Sequence, residues 1–228
     1  MHIPEGFIIG KFSSEDKNRF LCTVEIDGAK ETCYIASSCR LDNFINLRKK
    51  EVLLKHTVTP NASTRYAVCA VRHKFSYILL NTSLANKAIE NTMASRKLAS
   101  FGRRSDFKKE YTIQDYKTDF YIPSSKTIIE VKSVISTEVV AVFPTVFSER
   151  TITQLSAIEK LLQSGYKAHF VIVSLNPYVK EIEILKNTEC CETLLRCIDR
   201  GLEIDAFTCK LLKDGNVYIH KKIPWNFN

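Results

Sequence analysis

The chain has 228 residues, of which 45% are apolar and 25% charged, and its formal net charge is +8. That length can build a large core in one domain or two, and the composition is that of a globular protein, not a fibrous or disordered one. No run approaches the ~20 apolar residues of a membrane span, and the opening Met1-His2-Ile3-Pro4-Glu5-Gly6 lacks the basic start and apolar core of a signal peptide, so a cytoplasmic location is expected.

The first ~80 residues read as all-β. Short apolar runs recur at Phe7–Phe12, Phe20–Ile26, Glu31–Ile35, Glu51–Val58 and Tyr66–Val71, separated by turn residues such as Asp27-Gly28 and Pro60-Asn61. Five short strands at this spacing suggest a small barrel, of which the OB-fold is the commonest nucleic-acid-binding form. Phe12, Phe20, Tyr34 and Tyr66 could stack bases on such a barrel, although aromatics more often fill its core.

The pattern changes near Asn81. Residues 82–92 read as a helix, with Thr82 or Ser83 as N-cap. A basic stretch follows, with Arg96, Lys97, Arg103, Arg104, Lys108 and Lys109 against Asp106. It can be a solvated surface or a phosphate track. Strands are predicted at Tyr111–Ile113, Lys117–Ile122, Thr127–Ile135 and Val139–Phe143. Ser148 can cap a helix running to about Ser164, with Ile152, Leu155, Ile158, Leu161 and Leu162 on its apolar face. Residues 167–175 read as a buried strand, and strand, helix, strand at this spacing implies a right-handed crossover in a partly parallel sheet. A helix at 188–199 and a hairpin of 202–212 with 216–222 across Asp214-Gly215 complete the chain.

The architecture expected is therefore α/β (α+β): a small OB-like β-barrel over residues 1–80, then a mixed-sheet α/β domain over residues 81–228. The eight cysteines contain no C-x-x-C pair, which gives zinc little support and favours reduced structural thiols.

One segment carries chemistry. In Thr127–Ile135, Glu130 and Lys132 are two apart on a strand and share a face, amid Ile128, Ile129, Val131 and Val134. Charges in that setting are costly to bury unpaired. Asp119 on the preceding strand would complete an acidic cluster suited to a divalent cation, with the amine beside it. The plain alternative is an ion pair on a sheet edge.

Taken in order, Arg19-Phe20-Leu21, Asn81-Thr82-Ser83-Leu84-Ala85-Asn86, Glu110, Asp119-Phe120, Glu130-Val131-Lys132-Ser133, Phe143-Pro144 and Ser148-Glu149-Arg150 resemble the sugar fermentation stimulation protein family. The resemblance spans nearly the whole chain. It implies an OB-fold joined to a restriction-endonuclease-like domain of the PD-(D/E)XK type. Where the family usually has Phe-Pro-Asp-Ala, this chain has Phe143-Pro144-Thr145-Val146, and where the family has Arg-Gly and then His-Leu, it has Arg150-Thr151 and then Gln154-Leu155.

The expected activity is a Mg²⁺- or Mn²⁺-dependent nuclease acting on DNA, with RNA as a further substrate class. The alternative is a non-catalytic DNA-binding regulator of sugar-utilisation genes on the same scaffold. Asp119, Glu130 and the carbonyl of Val131 would hold the metal, and Lys132 would hold the attacking water or the transition-state phosphate. Glu110, an acid position in the family, would assist the metal or orient Lys132. Nucleic acid would meet Arg103, Arg104, Lys108, Lys109, Asn81, Asn86, Arg150 and Gln154, the last two at a phosphate-attracting helix start.

Overall fold

The computed structural model describes residues 3–18, 20–36, 40–58, 62–95 and 107–228. In its first part, Asp27 and Gly28 take φ of 50° and 82°, the left-handed backbone of a two-residue hairpin turn. They join β2 (Leu21–Ile26) to β3 (Ala29–Ile35). β1 (Ile8–Glu15) pairs antiparallel with β2 and with β4 (Glu51–His56), and β4 pairs with β5 (Tyr66–His73). A short parallel pairing of Tyr34 with Ala67 and Ile35 with Val68 closes the circuit between β3 and β5. All five predicted strands are present, and they form a closed OB-like barrel. Gly10 is required in β1, because a Cβ there would lie 2.5 Å from Val24 Cγ1 and 2.9 Å from Leu54 Cδ1.

The barrel is filled by alternating residues such as Cys22, Val24, Cys33, Ile35, Leu54 and Val68. Phe12 and Tyr66 belong to that core, whereas Phe20 and Tyr34 are exposed and stack on each other with ring centroids 6.5 Å apart. A sixth strand, β6 (Ser76–Leu79), which the sequence pattern does not mark, pairs with β5. Its Leu79 N–H donates to the carbonyl of Leu175 at 2.9 Å, tying the barrel to the rest of the chain.

The second part is built from α1 (Leu84–Ala94), β7 (Lys108–Ile113), β8 (Tyr116–Ile122), β9 (Thr127–Val134), β10 (Val140–Phe143), α2 (Glu149–Gln163), β11 (Lys167–Ser174), β12 (Glu181–Ile184), α3 (Glu189–Asp199), β13 (Leu202–Leu211), β14 (Val217–Ile223) and β15 (Trp225–Phe227). Its main sheet runs β14-β13-β11-β9-β8-β7, parallel at β9, β11 and β13 and antiparallel at both edges. β11 is buried along almost its whole length because both faces of the sheet are covered. Ala85, Ala88, Ile89 and Met93 of α1 share a core with the barrel and with Phe120, Ile129 and Val131. Leu155, Ile158 and Leu161 of α2, with Leu194 and Cys197 of α3, pack on the opposite face against Ile128, Phe170 and Ile172.

Two expectations are corrected. The strand at Val140–Phe143 does not join the main sheet; it pairs in parallel with β12, and β12 with β15, to make a separate three-stranded sheet. Helix α1 starts later than predicted, with Ser83 at the N-cap position as one of the two candidates but with no cap bond from its side chain. Instead Asn81 Oδ1 accepts from the Ser83 N–H at 3.0 Å and from its hydroxyl at 2.7 Å. Ser148 does cap α2, accepting from the Thr151 N–H at 3.2 Å. The seven described cysteines are all free thiols. No described helix is long and apolar enough to cross a membrane.

Candidate active site

The ladder between β8 and β9 ends at the pair Phe120 and Ile129. Asp119 and Glu130 are the next opposed positions, at the point where the two strands part. There the main-chain N–H of Val131 donates to Asp119 Oδ2 at 2.8 Å, so a side-chain carboxylate takes the acceptor role usual for a strand carbonyl. The other oxygen, Oδ1, accepts from Asn86 Nδ2 at 2.8 Å, one helical turn into α1. Both oxygens are thereby fixed in direction, and each carboxylate oxygen retains a lone pair for a further partner.

Glu130 is 1% exposed. A carboxylate buried so deeply must be compensated by donors or positive charge. Three groups converge on it: the Tyr116 hydroxyl donates to Oε2, Lys132 Nζ donates to Oε1 at 2.9 Å, and Gln154 Nε2 donates to Oε1 at 2.6 Å. Gln154 Oε1 also accepts from Lys132 Nζ at 2.5 Å, so one carboxamide bridges the acid and the amine. Burial raises the pKa of Glu130; the Lys132 charge opposes this, the Asp119 charge adds to it, and the net direction is upward. Tyr116 is raised above the ordinary phenol value, first by burial and then by the Glu130 charge, which keeps its proton in place for donation.

Asn86, Asp119, Glu130, Lys132 and Gln154 line one cleft of about 580 Å³, built mainly from the second part of the chain and bordered by Phe44 of the first. Its floor is Asp119, Glu130, Val131 and Lys132; one wall is Thr82, Ser83 and Asn86 at the start of α1, and the other is residues 143–148 with Arg150 at the start of α2. An oxygen-rich pocket of two carboxylates and a neighbouring carbonyl suits a hard divalent cation that keeps part of its water shell. Among the described residues no group of three or more His, Cys, Asp or Glu side chains is set to hold a metal, so the donor set rests on these two acids.

Of the residues singled out from the sequence, Asp119, Glu130, Val131 and Lys132 line the same cleft. Glu110 also lines the cleft, but its carboxylate accepts from Lys117 at 2.7 Å, and Lys132 is oriented by Glu130 and Gln154 instead. The Lys117 contact also holds the Glu110 carboxyl below its ordinary value. Asn86 and Gln154 contact the acidic residues directly, while Asn81 accepts from Ser83, the N-cap residue of α1. Arg150 is exposed on the cleft rim. Lys109 pairs with Glu90 at 2.8 Å and Lys108 sits 4.8 Å over the Tyr111 ring. Arg103 and Arg104 lie outside the described residues, as do Arg96 and Lys97. Tyr116 was not anticipated: it lies three residues before Asp119 at the turn between β7 and β8, and only the hairpin carries its hydroxyl to Glu130.

Residues 83–215 match the model of the "Sugar fermentation stimulation protein RE domain", and residues 16–80 match that of the "SfsA N-terminal OB domain". A sugar fermentation stimulation protein homolog of Desulfitobacterium hafniense is 26% identical over 211 residues, 90% of each chain. One from Caldanaerobacter subterraneus is 26% identical over 227 residues, 97% of each chain. The structure of Pyrococcus furiosus SfsA in complex with Ca²⁺ superposes with a TM-score of 0.82 at 20% identity, over 99% of this chain and 98% of that one.

Proposed function

The chain belongs to the sugar fermentation stimulation protein family, and from that premise we propose that it is a divalent-cation-dependent phosphodiester hydrolase acting on DNA. The observation that carries this reading is the convergence of Asp119, Glu130 and Lys132 in one cleft, with Gln154 bridging the acid and the amine.

Asp119, Glu130 and the carbonyl of Val131 would hold Mg²⁺ or Mn²⁺, which supplies charge neutralisation and an acidified water when bound. The donor set fits such an ion, since a buried carboxylate facing a second carboxylate is stabilised by a shared cation. The Ca²⁺ held by the Pyrococcus furiosus relative agrees with a divalent ion as the partner.

This chain's own residues do the rest. An ammonium carries three donors. Lys132 uses two, toward Glu130 and Gln154, which leaves one for the attacking water or a phosphate oxygen. Tyr116 and Gln154 hold Glu130 in one rotamer. Arg150 and the capped start of α2 favour negative charge at the cleft mouth. The net charge of +8 favours a polyanionic substrate.

The test is cleavage of end-labelled single- and double-stranded DNA, and of RNA of the same sequence, with Mg²⁺ or Mn²⁺. The wild-type chain should cut, and EDTA, Asp119→Ala and Lys132→Ala should each abolish cutting. Equal cutting by all three chains would overturn the proposal. DNA binding that persists in EDTA without cutting would favour a non-catalytic regulator.

A further inference from the structure

The outward side of β2 and β3, the usual contact face of an OB-fold, carries Thr23, Glu25, Lys30 and Thr32 here, with Glu25 opposite Lys30 and no net charge. Positive charge collects instead at one end of the barrel. Lys49 and Lys50 make the turn into β4, and Lys74 makes the tip of the hairpin between β5 and β6; all three residues are exposed. The two turns meet at His73, where the charges of Lys74 and Lys50 add to burial in holding its pKa below the ordinary value. Both turns are pinned. The Lys49 N–H donates to the Phe12 carbonyl and the Lys50 N–H to the Leu47 carbonyl, each at 2.9 Å. The Phe75 N–H donates to the Tyr178 hydroxyl at 3.1 Å, and the Lys74 amine lies 5.1 Å from the centre of the Tyr178 ring, so the hairpin tip is held against the second part of the chain. Lys49 and Lys74 have φ of 63° and 51°, a left-handed backbone that glycine adopts more easily, yet each turn keeps a long cationic side chain there.

The acids of the adjoining segments do not cancel this charge. Glu51 is paired with Arg72 at 2.7 Å. Asp42 and Glu15 line a separate pocket with Arg48, and Arg40 stands 3.9 Å from Glu15. Glu138, on the loop that Asn176 holds through the Ser136 carbonyl, is a single charge that accepts from Thr137. Among the described residues no carboxylate pairs with Lys49, Lys50 or Lys74. The surface also leads to the cleft. Phe44 lines the cleft and Lys50 follows it by six residues, so Lys50 stands within about 20 Å of the cleft wall. Phosphates along one strand of a duplex are about 3.4 Å apart, so a strand held at the acids reaches this surface within about six further nucleotides.

We propose that Lys49, Lys50 and Lys74 form a second contact surface for polynucleotide, which holds phosphates of the strand several nucleotides beyond the one that lies in the acidic cleft. The proposal rests on the reading of the cleft as a phosphodiesterase site and adds a footprint that reaches from the cleft to the end of the barrel. Ammonium groups on flexible stems meet phosphate as point charges, so the contact is indifferent to sequence and weakens as salt rises. A lipid surface is less well matched. Among the described residues Phe75, 93% exposed, is the large apolar side chain at this tip, and a lone phenyl gives little anchoring.

The experiment follows the fluorescence anisotropy of labelled single-stranded DNA with the full chain in Ca²⁺, across a series of KCl concentrations, so that the readout does not depend on cutting. The combined variant Lys49→Gln, Lys50→Gln, Lys74→Gln should weaken binding at least about tenfold near 0.1 M salt and flatten the slope of log affinity against log salt by about two. Lys49→Arg, Lys50→Arg, Lys74→Arg should keep both. A control variant, Lys30→Gln, Lys126→Gln, Lys167→Gln, removes the same charge from the β2–β3 face, from the residue before β9 and from the start of β11, and should shift affinity by no more than about twofold. All of these side chains are exposed, so every variant should match wild type in thermal melting. Equal weakening by the two Gln variants would reduce the effect to net charge and overturn the proposal, as would an unchanged salt slope. So would binding to vesicles of anionic phospholipid that the first variant abolishes while its DNA affinity stays at the wild-type value. Weakened DNA binding by the first variant, in a chain that does not cut with Mg²⁺, would refute the hydrolase and leave the surface standing. Mg²⁺-dependent cutting whose KM the first variant leaves unchanged would do the reverse.

Discussion

The Val131 N–H donates to the Asp119 carboxylate at 2.8 Å, across the point where β8 and β9 separate. This bond puts the aspartate beside Glu130, and it makes one side chain both a structural acceptor and a proposed metal ligand. The two roles can be separated by substitution. Asp119→Asn retains an oxygen for Val131 and should fold with near wild-type stability while losing Mn²⁺ affinity by calorimetry. Asp119→Ala leaves Val131 and Asn86 without their acceptor and should cost in addition about 1–3 kcal/mol in urea denaturation.

Gln154 is expected to act through its neighbours. It donates to Glu130 and accepts from Lys132. Gln154→Leu should lower cleavage and divalent-ion affinity by about 10–100-fold, as loss of a ligand-orienting group does. An unchanged metal affinity together with unchanged kcat would show that the bridge is dispensable.

Far from the cleft, Asp205 is buried between His169 Nδ1 at 3.2 Å and Lys222 Nζ at 2.6 Å. Burial pushes its carboxyl up, but the hydrogen bonds from His169 and Lys222, with the Lys222 charge, outweigh burial and the net pKa is lowered. The unfolded chain therefore takes up this proton at a higher pH than the folded chain. The stabilisation is complete above the ordinary carboxylate range, about pH 4, and is lost as pH falls through the lowered value. Asp205→Asn should cost about 2 kcal/mol at pH 7, a figure reduced because Lys222 is 64% exposed. The gap from wild type should close on acidification below about pH 4; a gap constant down to pH 2 would mean that the charge is not responsible.

In the barrel, Gly10→Ala drives a methyl into Val24 and Leu54. It should destabilise the chain by about 1–3 kcal/mol in denaturant titration while leaving Mn²⁺ affinity intact, because the cleft lining does not include β1.

Much of this arrangement was legible in the sequence because it rests on local pattern. Alternation put Glu130 and Lys132 on one face, Ser148 announced α2, and Asp27-Gly28 announced the first hairpin. The rest depended on contacts that no local pattern encodes. Among the described residues, the pairing that closes the barrel joins Tyr34 with Ala67 and Ile35 with Val68. β15 is too short to show a period, and β12, although Glu181–Ile184 alternates, takes its place only through pairing with β10 and β15. Tyr116 carries no motif, and Asn86 and Gln154 were expected to meet nucleic acid, not to hold the acids; each matters because folding brings it to a buried or strand-end carboxylate, and a buried acid calls for donors without saying which residues provide them.

The most direct measurement is anomalous scattering from crystals of the chain soaked in Mn²⁺. A single strong peak between the Asp119 and Glu130 carboxylates, about 2.0–2.3 Å from an oxygen of each, is the expected result, and it should vanish in Asp119→Asn. Ordered crystals with no peak there, or with manganese bound only elsewhere, would contradict a shared cation at these two acids.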